Sequence, residues 1–410
     1  MKIVADKNIP LVTQAFGNIG DVSALPVPLI TSTAARDADV LVIRNETRVD
    51  EALLHGSRVR FVASATSGTD HVDFLYLQAH GIGFANAPGS NSNSVKEYVV
   101  AALLAFAARQ GISLNGKTLG VVGVGHIGGK VAKAAEALGM KVIENDPPLA
   151  RATGDSRFVP LDEILKADFI TLHTPLVETG RDATVHLFDD GRFSCVKKGA
   201  LLLNTSRGSV VDTAALLRAL RQGTVGAALI DVWENEPSID SLLLSLVALG
   251  TAHVAGYSTE GKLAAVRMVR EAVCDYFGLS SGWDPAQHLG SPERCEVALA
   301  EPAPTQEMAL HRIVRQVYDV EQDDARLREM LSLAPERRAA YYLKLRAEYP
   351  FRREFSAYTI QLRPEHGYLS QALSALGFAC SSASPAAPRE SAILAFGNSG
   401  DERKHQRGTK

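Results

Sequence analysis

The sequence predicts an α/β protein with two doubly wound parallel sheets and a small C-terminal α+β unit. Three observations support this prediction. Short apolar strands alternate with helical segments up to about Gly282, a glycine-rich loop stands between a strand and a helix, and the pattern changes after Gly282. A chain of 410 residues is long enough for two or three domains.

The first series of strands lies in the N-terminal hundred residues. Apolar runs predict strands at 2–5, 38–43, 60–65 and 81–86, and the connections between them are long enough for crossover helices. From Ser94 to Arg109, apolar residues recur at helical spacing and predict a long helix with one apolar face. We expect this helix to connect the first unit with the second.

The second series of strands begins at Thr118. The predicted strands are residues 118–123, 141–145, 169–173, 200–204, 227–231 and 251–254. Helical segments separate most of them, which again predicts a doubly wound parallel sheet.

The third unit begins after a proline-rich stretch near residue 285. Helical spacing over residues 310–317 and 369–376 flanks a strand-like alternation at 358–362. The last thirty or so residues, 381–410, are rich in Ser, Ala and Pro and end in a charged run, so we predict a disordered tail.

Composition excludes several classes of protein. Hydrophobic residues make up 46% of the chain, which fits a globular protein, and the net charge of −3 argues against a broadly basic nucleic-acid-binding surface. The sequence has neither an apolar run of about 18 residues nor a signal-peptide core, so we expect a cytoplasmic protein with no membrane contact. Four widely spaced cysteines form no CxxC pair and predict no metal site.

The strongest local signal is the loop Gly123-Val124-Gly125-His126-Ile127-Gly128. It follows a predicted strand and opens a predicted helix, which is the context that a dinucleotide-binding GxGxxG loop needs. The first glycine allows a tight turn, the second allows a pyrophosphate to approach, and the third allows close packing of helix and strand. A glycine turn of purely structural use is the alternative.

An acidic residue at the end of the next strand predicts which dinucleotide binds. Asp146 lies 18 residues after Gly128, where a carboxylate can accept hydrogen bonds from ribose hydroxyls. The same carboxylate would repel a 2′-phosphate, so we predict NAD rather than NADP.

Ionisable residues follow three later strands, and the carboxyl ends of parallel strands face the ligand crevice. The residues are Arg207, Asp231, Glu236 and His253. This set suits hydride transfer to or from a 2-hydroxy acid: Arg207 would bind the carboxylate and polarise the reacting oxygen, and His253 would take the hydroxyl proton. Glu236 would stabilise the imidazolium, and Asp231 would orient the nicotinamide. Taken singly, each residue also fits a solvated or structural role.

Several motifs together resemble the D-isomer-specific 2-hydroxyacid dehydrogenases. They are VVGVGHIG, HTPL (173–176), NTSRGSVVD (204–212), DVWENEP (231–237) and HVAGYSTEG (253–261). The resemblance implies a Rossmann nucleotide domain at 91–260 and a flavodoxin-like substrate domain that combines 1–90 with 261–283.

Further segments resemble one subfamily, which oxidises a phosphorylated 2-hydroxy acid and dimerises through an additional C-terminal domain. They are DKNIP (6–10), RNETRV (44–49), ATSGTDHVD (65–73), NDPP (145–148) and AGYSTEGK (255–262). By this resemblance, residues 290–380 form a dimerisation domain and the protein is a homodimer. The alternatives are another member of the family, acting on 3-phosphoglycerate or on glycerate and hydroxypyruvate, and a non-catalytic NAD-sensing corepressor.

The resemblance also assigns site residues. Arg207, Glu236 and His253 form the catalytic set. The expected NAD contacts are Gly123, Gly125, His126, Ile127, Gly128, Asp146, Thr174, Thr205, Asp231 and Gly256. The expected substrate contacts are Asn45, Thr66 and Tyr257, with Asn45 at a position where the resemblance predicts Ser. Arg44, Arg48 and Lys7 are candidate phosphate-binding cations, or alternatively an ordinary solvated surface.

Overall fold

The computed structural model describes residues 1–289, residue 303 and residues 305–381, together with the backbone of 293–296 and of 382. The last strand includes residues 381 and 382, which we had assigned to the disordered tail. The remainder of that predicted tail, 383–410, lies outside the described residues, as do the linker prolines Pro292, Pro302 and Pro304.

The N-terminal unit is a five-stranded parallel sheet with the order β2-β1-β3-β4-β5. Its elements are β1 (Lys2–Asp6), α1 (Val12–Phe16), β2 (Asp21–Leu25), α2 (Ser32–Ala35), β3 (Val40–Ile43), α3 (Glu51–Leu54), β4 (Phe61–Ser64), α4 (Phe74–Ala79) and β5 (Gly83–Asn86). The sequence did not predict β2, because this edge strand has no continuous apolar run and no fully buried residue.

The second unit is a six-stranded parallel sheet with the order β11-β10-β9-β8-β6-β7. Its elements are α5 (Ser92–Gln110), β6 (Thr118–Val122), α6 (Gly128–Ala137), β7 (Lys141–Asn145), α7 (Pro147–Thr153), α8 (Leu161–Ile164), β8 (Phe169–Leu172), α9 (Asp190–Cys195), β9 (Ala200–Asn204), α10 (Thr213–Gln222), β10 (Val225–Ile230), α11 (Ser241–Leu246), β11 (Leu249–Gly250) and α12 (Thr259–Phe277). The predicted doubly wound α/β fold is thereby confirmed. The order of strand addition reverses between β6 and β8, and ligands bind at such switch points.

The predicted last strand, 251–254, is wrong. The strand β11 covers only Leu249–Gly250, and the chain then leaves the sheet. The backbone N–H of His253 donates to the carbonyl oxygen of Asp231 at 2.7 Å, and the Trp233 indole N–H donates to the Thr251 carbonyl oxygen at 2.8 Å. These two hydrogen bonds take the place of a regular strand ladder, so the chain forms an irregular loop after β11.

The long helix α5 is buried on more than the one face that the sequence predicts. Its polar Ser94, Lys96 and Glu97 are buried together with its apolar residues. The reason is that the C-terminal unit covers the face that would otherwise meet solvent. The other long helix, α12, returns to the N-terminal unit, where Val266, Val269 and other α12 residues join the core of the first sheet.

The C-terminal unit contains a three-stranded parallel sheet with the order β12-β13-β14. Its elements are β12 (Glu293–Glu296), α13 (Gln306–Val317), α14 (Val320–Arg328), α15 (Pro335–Ala347), β13 (Tyr358–Leu362), α16 (Ser370–Leu376) and β14 (Ala379–Ser382). The helices α13 and α14 pack on α5, and α16 packs on α6. The sequence did not predict α14 and α15, because neither has a clear apolar stripe.

Arg328 and Asp324 fix this unit to the end of the six-stranded sheet. Arg328 donates to the carbonyl oxygens of Leu244 and Val247, each at 2.8 Å, and to the carboxylate of Asp324 at 2.9 Å. Asp324 also accepts from the Gly250 N–H at 2.7 Å. Among the described helices, we find none with the length and apolarity required to cross a membrane.

Glu97 lies where α5 meets the C-terminal unit. It is 2% exposed and accepts a hydrogen bond from the Phe355 N–H at 3.0 Å. Burial raises the pKa of Glu97 to about 8; the nearby Lys96 and Arg352 oppose this shift, and Glu354 adds to it. The folded protein therefore holds a proton on this carboxyl at a pH where the unfolded chain does not.

This difference makes stability depend on pH. An ordinary glutamate has a pKa of 4.5, so the contribution of the Glu97 proton is fully present below that pH and is lost as the pH rises through 8. The glutamine side chain cannot ionise, so we expect the Glu97→Gln variant not to show this loss of stability. Urea unfolding at pH 5 and pH 8 measures it: the free energy of unfolding should fall by about 2 to 4 kcal/mol more in the parent than in the variant. A constant difference between the two proteins at both pH values would contradict the assignment. The control is Glu348→Gln, which alters an exposed glutamate directly after α15.

Candidate active site

The glycine loop between β6 and α6 has the geometry of a pyrophosphate cradle. Gly123 has a φ of 85°, and a Cβ there would lie 2.8 Å from the His173 backbone. A Cβ at Gly128 would lie 1.9 Å from the Gly123 carbonyl oxygen, whereas one at Gly125 would meet nothing within 4 Å. The N-cap residue of α6 is Ile127, so no side chain caps the N-terminus of this helix. An anion therefore has open space at Gly125 and, as far as the described residues show, N–H groups at the start of α6 that no side chain caps.

Asp146 follows β7 and supports this loop. One carboxylate oxygen accepts from the Val124 N–H at 2.8 Å, and the other accepts from the Leu149 N–H at 3.0 Å. Each oxygen has two lone pairs, so one on each remains for another donor. Hydrogen bonding of Asp146 to a ribose stays a prediction, and the geometry leaves room for it.

The other expected cofactor contacts lie around the same switch point. The Thr174 hydroxyl oxygen is buried and has no hydrogen-bond partner among the described residues. The Thr205 hydroxyl bonds the His173 ring at 3.1 Å. His126 is exposed beside Gly89, and Gly256 lies so close to Asn91 that a Cβ would meet the Asn91 amide nitrogen at 2.5 Å. An orphaned buried hydroxyl and an open glycine cradle fit a bound dinucleotide.

His253 and Glu236 form a close pair. The imidazole Nδ1 lies 2.8 Å from a Glu236 carboxylate oxygen, and the other Glu236 oxygen accepts from the Trp233 N–H at 2.7 Å. His253 has a φ of 56°, a left-handed conformation that costs a non-glycine residue about 1 to 3 kcal/mol. The surrounding contacts therefore hold this histidine in a strained position, with Nε2 unbonded to any described residue.

The Glu236 carboxylate stays ionised at neutral pH. Burial disfavours its charge, but the nearby His253, together with the hydrogen bonds from His253 and Trp233, holds the pKa of Glu236 below its ordinary value. The neighbouring Glu234 pairs instead with His186, at 2.6 Å. The structure thus shows which acid of the DVWENEP motif pairs with the candidate catalytic histidine.

Asp231 has several partners within the chain. It is 1% exposed. One carboxylate oxygen accepts from the Thr251 hydroxyl at 2.6 Å and the Val254 N–H at 2.8 Å, and the other accepts from the Ala255 N–H at 3.1 Å. Burial raises the pKa of Asp231. The observed role of this side chain is to shape the loop that carries His253, and its contact with nicotinamide stays a prediction.

Arg207 follows β9 and joins the two large sheets. Its Nε donates to Asp70 of the N-terminal unit at 2.8 Å, and its Nη1 donates to the Ser206 carbonyl oxygen at 2.8 Å. A Cβ at Gly68 would lie 2.0 Å from Nη2, so a side chain there would require the Arg207 guanidinium to move. Sequence reasoning missed Asp70 as a partner, although the ATSGTDHVD segment contains it.

The expected substrate residues lie at the carboxyl ends of β3 and β4 and near His253. Asn45 is exposed, and the Thr66 hydroxyl bonds Ser64 at 2.9 Å. The Tyr257 hydroxyl accepts from Arg346 at 3.1 Å. Sequence reasoning missed Arg346, because it lies on a helix that the sequence did not predict.

The candidate phosphate-binding cations differ in their surroundings. Arg44 is held by Asp6 at 2.7 Å. Arg48 has an 82% exposed side chain that pairs with Asp50 at 3.0 Å, and Lys7 is exposed. Only Arg44 of these three lies in a partly enclosed position.

The fold and this site define an NAD-binding dehydrogenase of the D-isomer-specific 2-hydroxyacid class. Residues 93–255 match the family model described as "D-isomer specific 2-hydroxyacid dehydrogenase, NAD binding domain". Similar solved structures include a Staphylococcus aureus NAD-dependent formate dehydrogenase in complex with NAD (26% identity, TM-score 0.58, 68% of this chain and 96% of that one). An Aquifex aeolicus D-lactate dehydrogenase with NAD and lactic acid is also similar (25% identity, TM-score 0.56, 68% and 96%). NAD is thus the cofactor.

Curated relatives define the family more closely, because they also cover the C-terminal unit. Erythronate-4-phosphate dehydrogenases of Salinibacter ruber (47% identity, 88% of this chain and 94% of the relative) and Chromohalobacter salexigens (43%, 92% and 98%) are among them. The chain belongs to the erythronate-4-phosphate dehydrogenase family. Residues 289–377 match a domain of unknown function, DUF3410.

Two adjacent glycines allow a matched test of the cradle. In Gly128→Ala, the added methyl group would clash with the Gly123 carbonyl oxygen and open the loop. In Gly129→Ala, it would lie 3.8 Å from the nearest atom, the Val124 carbonyl oxygen. Titration of NAD by calorimetry should show at least a roughly tenfold weaker Kd for Gly128→Ala. The Gly129→Ala variant should bind NAD like the parent, and equal affinity in all three proteins would show that the loop does not bind NAD.

Proposed function

We propose that this protein oxidises 4-phospho-D-erythronate to (R)-3-hydroxy-2-oxo-4-phosphooxybutanoate with NAD as the acceptor, a step of pyridoxine biosynthesis. The observation that carries the proposal is the His253–Glu236 pair at 2.8 Å, formed between the segments that follow β11 and β10 of the NAD-binding sheet. The names of the curated relatives supply the substrate.

Arg207 binds and polarises the substrate in this proposal. Asp70 and the Ser206 carbonyl oxygen hold its Nε and Nη1, so the side chain is oriented before substrate arrives. Its Nη2 makes no hydrogen bond to a described residue and is available to the substrate carboxylate and C2 oxygen. A planar guanidinium suits both tasks, because it presents several donors in a fixed geometry.

His253 moves the proton. NAD, when bound, accepts the hydride from C2. The C2 hydroxyl then becomes a carbonyl, and its proton passes to the free Nε2 of His253. The ionised Glu236 on Nδ1 stabilises the resulting imidazolium and fixes the tautomer that leaves Nε2 unprotonated beforehand.

A turnover assay tests this proposal against its rivals. We expect NADH absorbance to rise with 4-phospho-D-erythronate and much less with 3-phosphoglycerate or glycerate. Preference for 3-phosphoglycerate would assign a different dehydrogenase, and NAD binding without turnover of any hydroxy acid would favour the corepressor alternative. His253→Ala should lower kcat by about 10²- to 10⁴-fold, because a general base is lost. His186→Gln removes the other His–Glu pair near this motif and should retain activity.

We further propose a homodimer formed through the C-terminal unit, and a cytoplasmic location. Large apolar side chains of this unit support the dimer: Leu343 is 47% exposed, Tyr368 56% and Phe351 72%. The location is supported by Cys195, Cys274 and Cys380, which are free thiols, as is usual in a reducing compartment.

Sedimentation tests the dimer. The parent should sediment with twice the 43.9 kDa mass of the chain. Replacing Phe351 and Tyr368 together by Asp should shift the protein towards monomer, because two charges would have to be buried at the interface. Leu75→Asp alters an 81% exposed apolar residue of the N-terminal unit and should leave the mass unchanged. A monomeric parent would refute the dimer.

A further inference from the structure

Arg346 lies in the active-site region although it belongs to the C-terminal unit. Helix α15 places this side chain, which is 12% exposed, against the loop that carries His253. Its Nη2 donates to the Tyr257 hydroxyl at 3.1 Å, and its Nε is buried with no partner among the described residues. Arg346 also acts electrostatically on Glu236, after the larger effects of burial and His253. A buried guanidinium with an unpaired donor calls for a further acceptor.

A second cation, Lys262, lies at the same tyrosine, and a third, Arg44, is linked to Arg346 through Glu46. The Lys262 ammonium is 4.5 Å from the centre of the Tyr257 ring, and the Arg346 guanidinium is 5.9 Å from it. Glu46 connects Arg44 with Arg346: one of its carboxylate oxygens lies 3.4 Å from the Arg44 guanidinium and 3.9 Å from the Arg346 guanidinium. We call Arg44, Lys262 and Arg346 the cation cluster.

The cation cluster has three positive charges, whereas its salt-bridge partners, Asp6 and Glu46, supply two negative charges; Glu236, on which Arg346 also acts, pairs with His253. Asp6 pairs with Arg44, and Glu46 lies between the two arginines. Lys262 forms no salt bridge with a described residue, and burial together with repulsion from Arg44 and Arg352 lowers the pKa of its ammonium group. An anion bound here would relieve that repulsion.

We propose that Arg346, together with Lys262 and Arg44, binds the phosphate group of the substrate, so that the C-terminal unit completes the active site. The inference rests on the proposed function for the identity of the substrate. A phosphate monoester carries close to two negative charges at neutral pH, and a guanidinium binds it through two parallel hydrogen bonds. Tyr257 lies four residues after His253, and Arg346 acts electrostatically on Glu236, which lies 2.8 Å from the His253 ring. In this arrangement Arg207 binds the carboxylate at the other end of the substrate.

The competing interpretation is that Arg346 only positions Tyr257 and Glu46. A positioning residue would affect phosphorylated and unphosphorylated substrates alike, whereas a phosphate ligand would affect only the phosphorylated one. The decisive measurement is therefore the ratio of kcat/KM for 4-phospho-D-erythronate to that for D-erythronate, with NAD saturating.

We expect Arg346→Met to lower this ratio by about 10- to 100-fold, mostly through KM for the phosphorylated acid. Arg346→Lys should restore part of the ratio, because it keeps the charge but loses the fork. Lys344→Met is the matched control: it removes a 60% exposed cation from the same helix and should leave the ratio unchanged. An equal loss on both substrates in Arg346→Met would overturn the proposal.

A second measurement does not depend on turnover. Inorganic phosphate should bind the NAD-loaded parent in calorimetry, and more weakly by a similar factor in Arg346→Met and in Lys262→Met. The two variants report separately, so a folding defect in one leaves the other informative. Unchanged phosphate affinity in both would overturn the cation cluster as a phosphate site. Phosphate binding that depends on Arg346, in a protein that does not turn over 4-phospho-D-erythronate, would instead overturn the proposed function and leave the site standing.

Discussion

The buried carboxylate of Asp231 is the constraint on which the site depends. It accepts three hydrogen bonds from the segment 251–255, and its own carbonyl oxygen accepts from the His253 N–H. A carboxylate buried this deeply is tolerated because these donors replace water. Since the donors lie on both sides of His253 in sequence, they force the backbone out of the sheet and into the left-handed conformation that His253 adopts. The position of the candidate base thus follows from one buried acid.

The C-terminal unit holds the same loop from the opposite side. The fully buried guanidinium of Arg352 donates to the carbonyl oxygens of Ser94 and Ala255, each at 3.0 Å, so that it links α5 to the end of the loop. Glu354 accepts from the Ser258 hydroxyl at 2.9 Å, at the start of α12. The third unit is therefore a structural part of the active-site region, and its core merges with that of the nucleotide-binding sheet.

The sequence was a good guide wherever one segment determines a structure by itself. The glycine loop, the long helix α5 and most parallel strands have local signals, and Arg207, Glu236 and His253 each follow an apolar strand. Partners from distant segments were not predictable. The members of the Asp70–Arg207 pair are 137 residues apart in sequence, and those of the Arg346–Tyr257 pair are 89 residues apart. The periodicity of a segment cannot predict contacts between such distant residues. The same reason explains why His253 was assigned to a strand: the bonds that remove it from the sheet come from Asp231.

These long-range pairs suggest why a C-terminal unit accompanies the common dehydrogenase fold in this family. The solved dehydrogenases that resemble this protein cover about two thirds of the chain, and two of them are named for formate and lactate. Formate and lactate each have a single charged group, the carboxylate, which is the group that we assign to Arg207. A substrate with a phosphate at its other end needs a second group of cations, and burial of those cations must be offset by the surrounding protein. The N-terminal unit offers Arg44, which Asp6 already occupies. Helix α15 adds Arg346 with a free donor, and contacts with α5, with the 253–258 loop and with the end of the six-stranded sheet hold the unit in place.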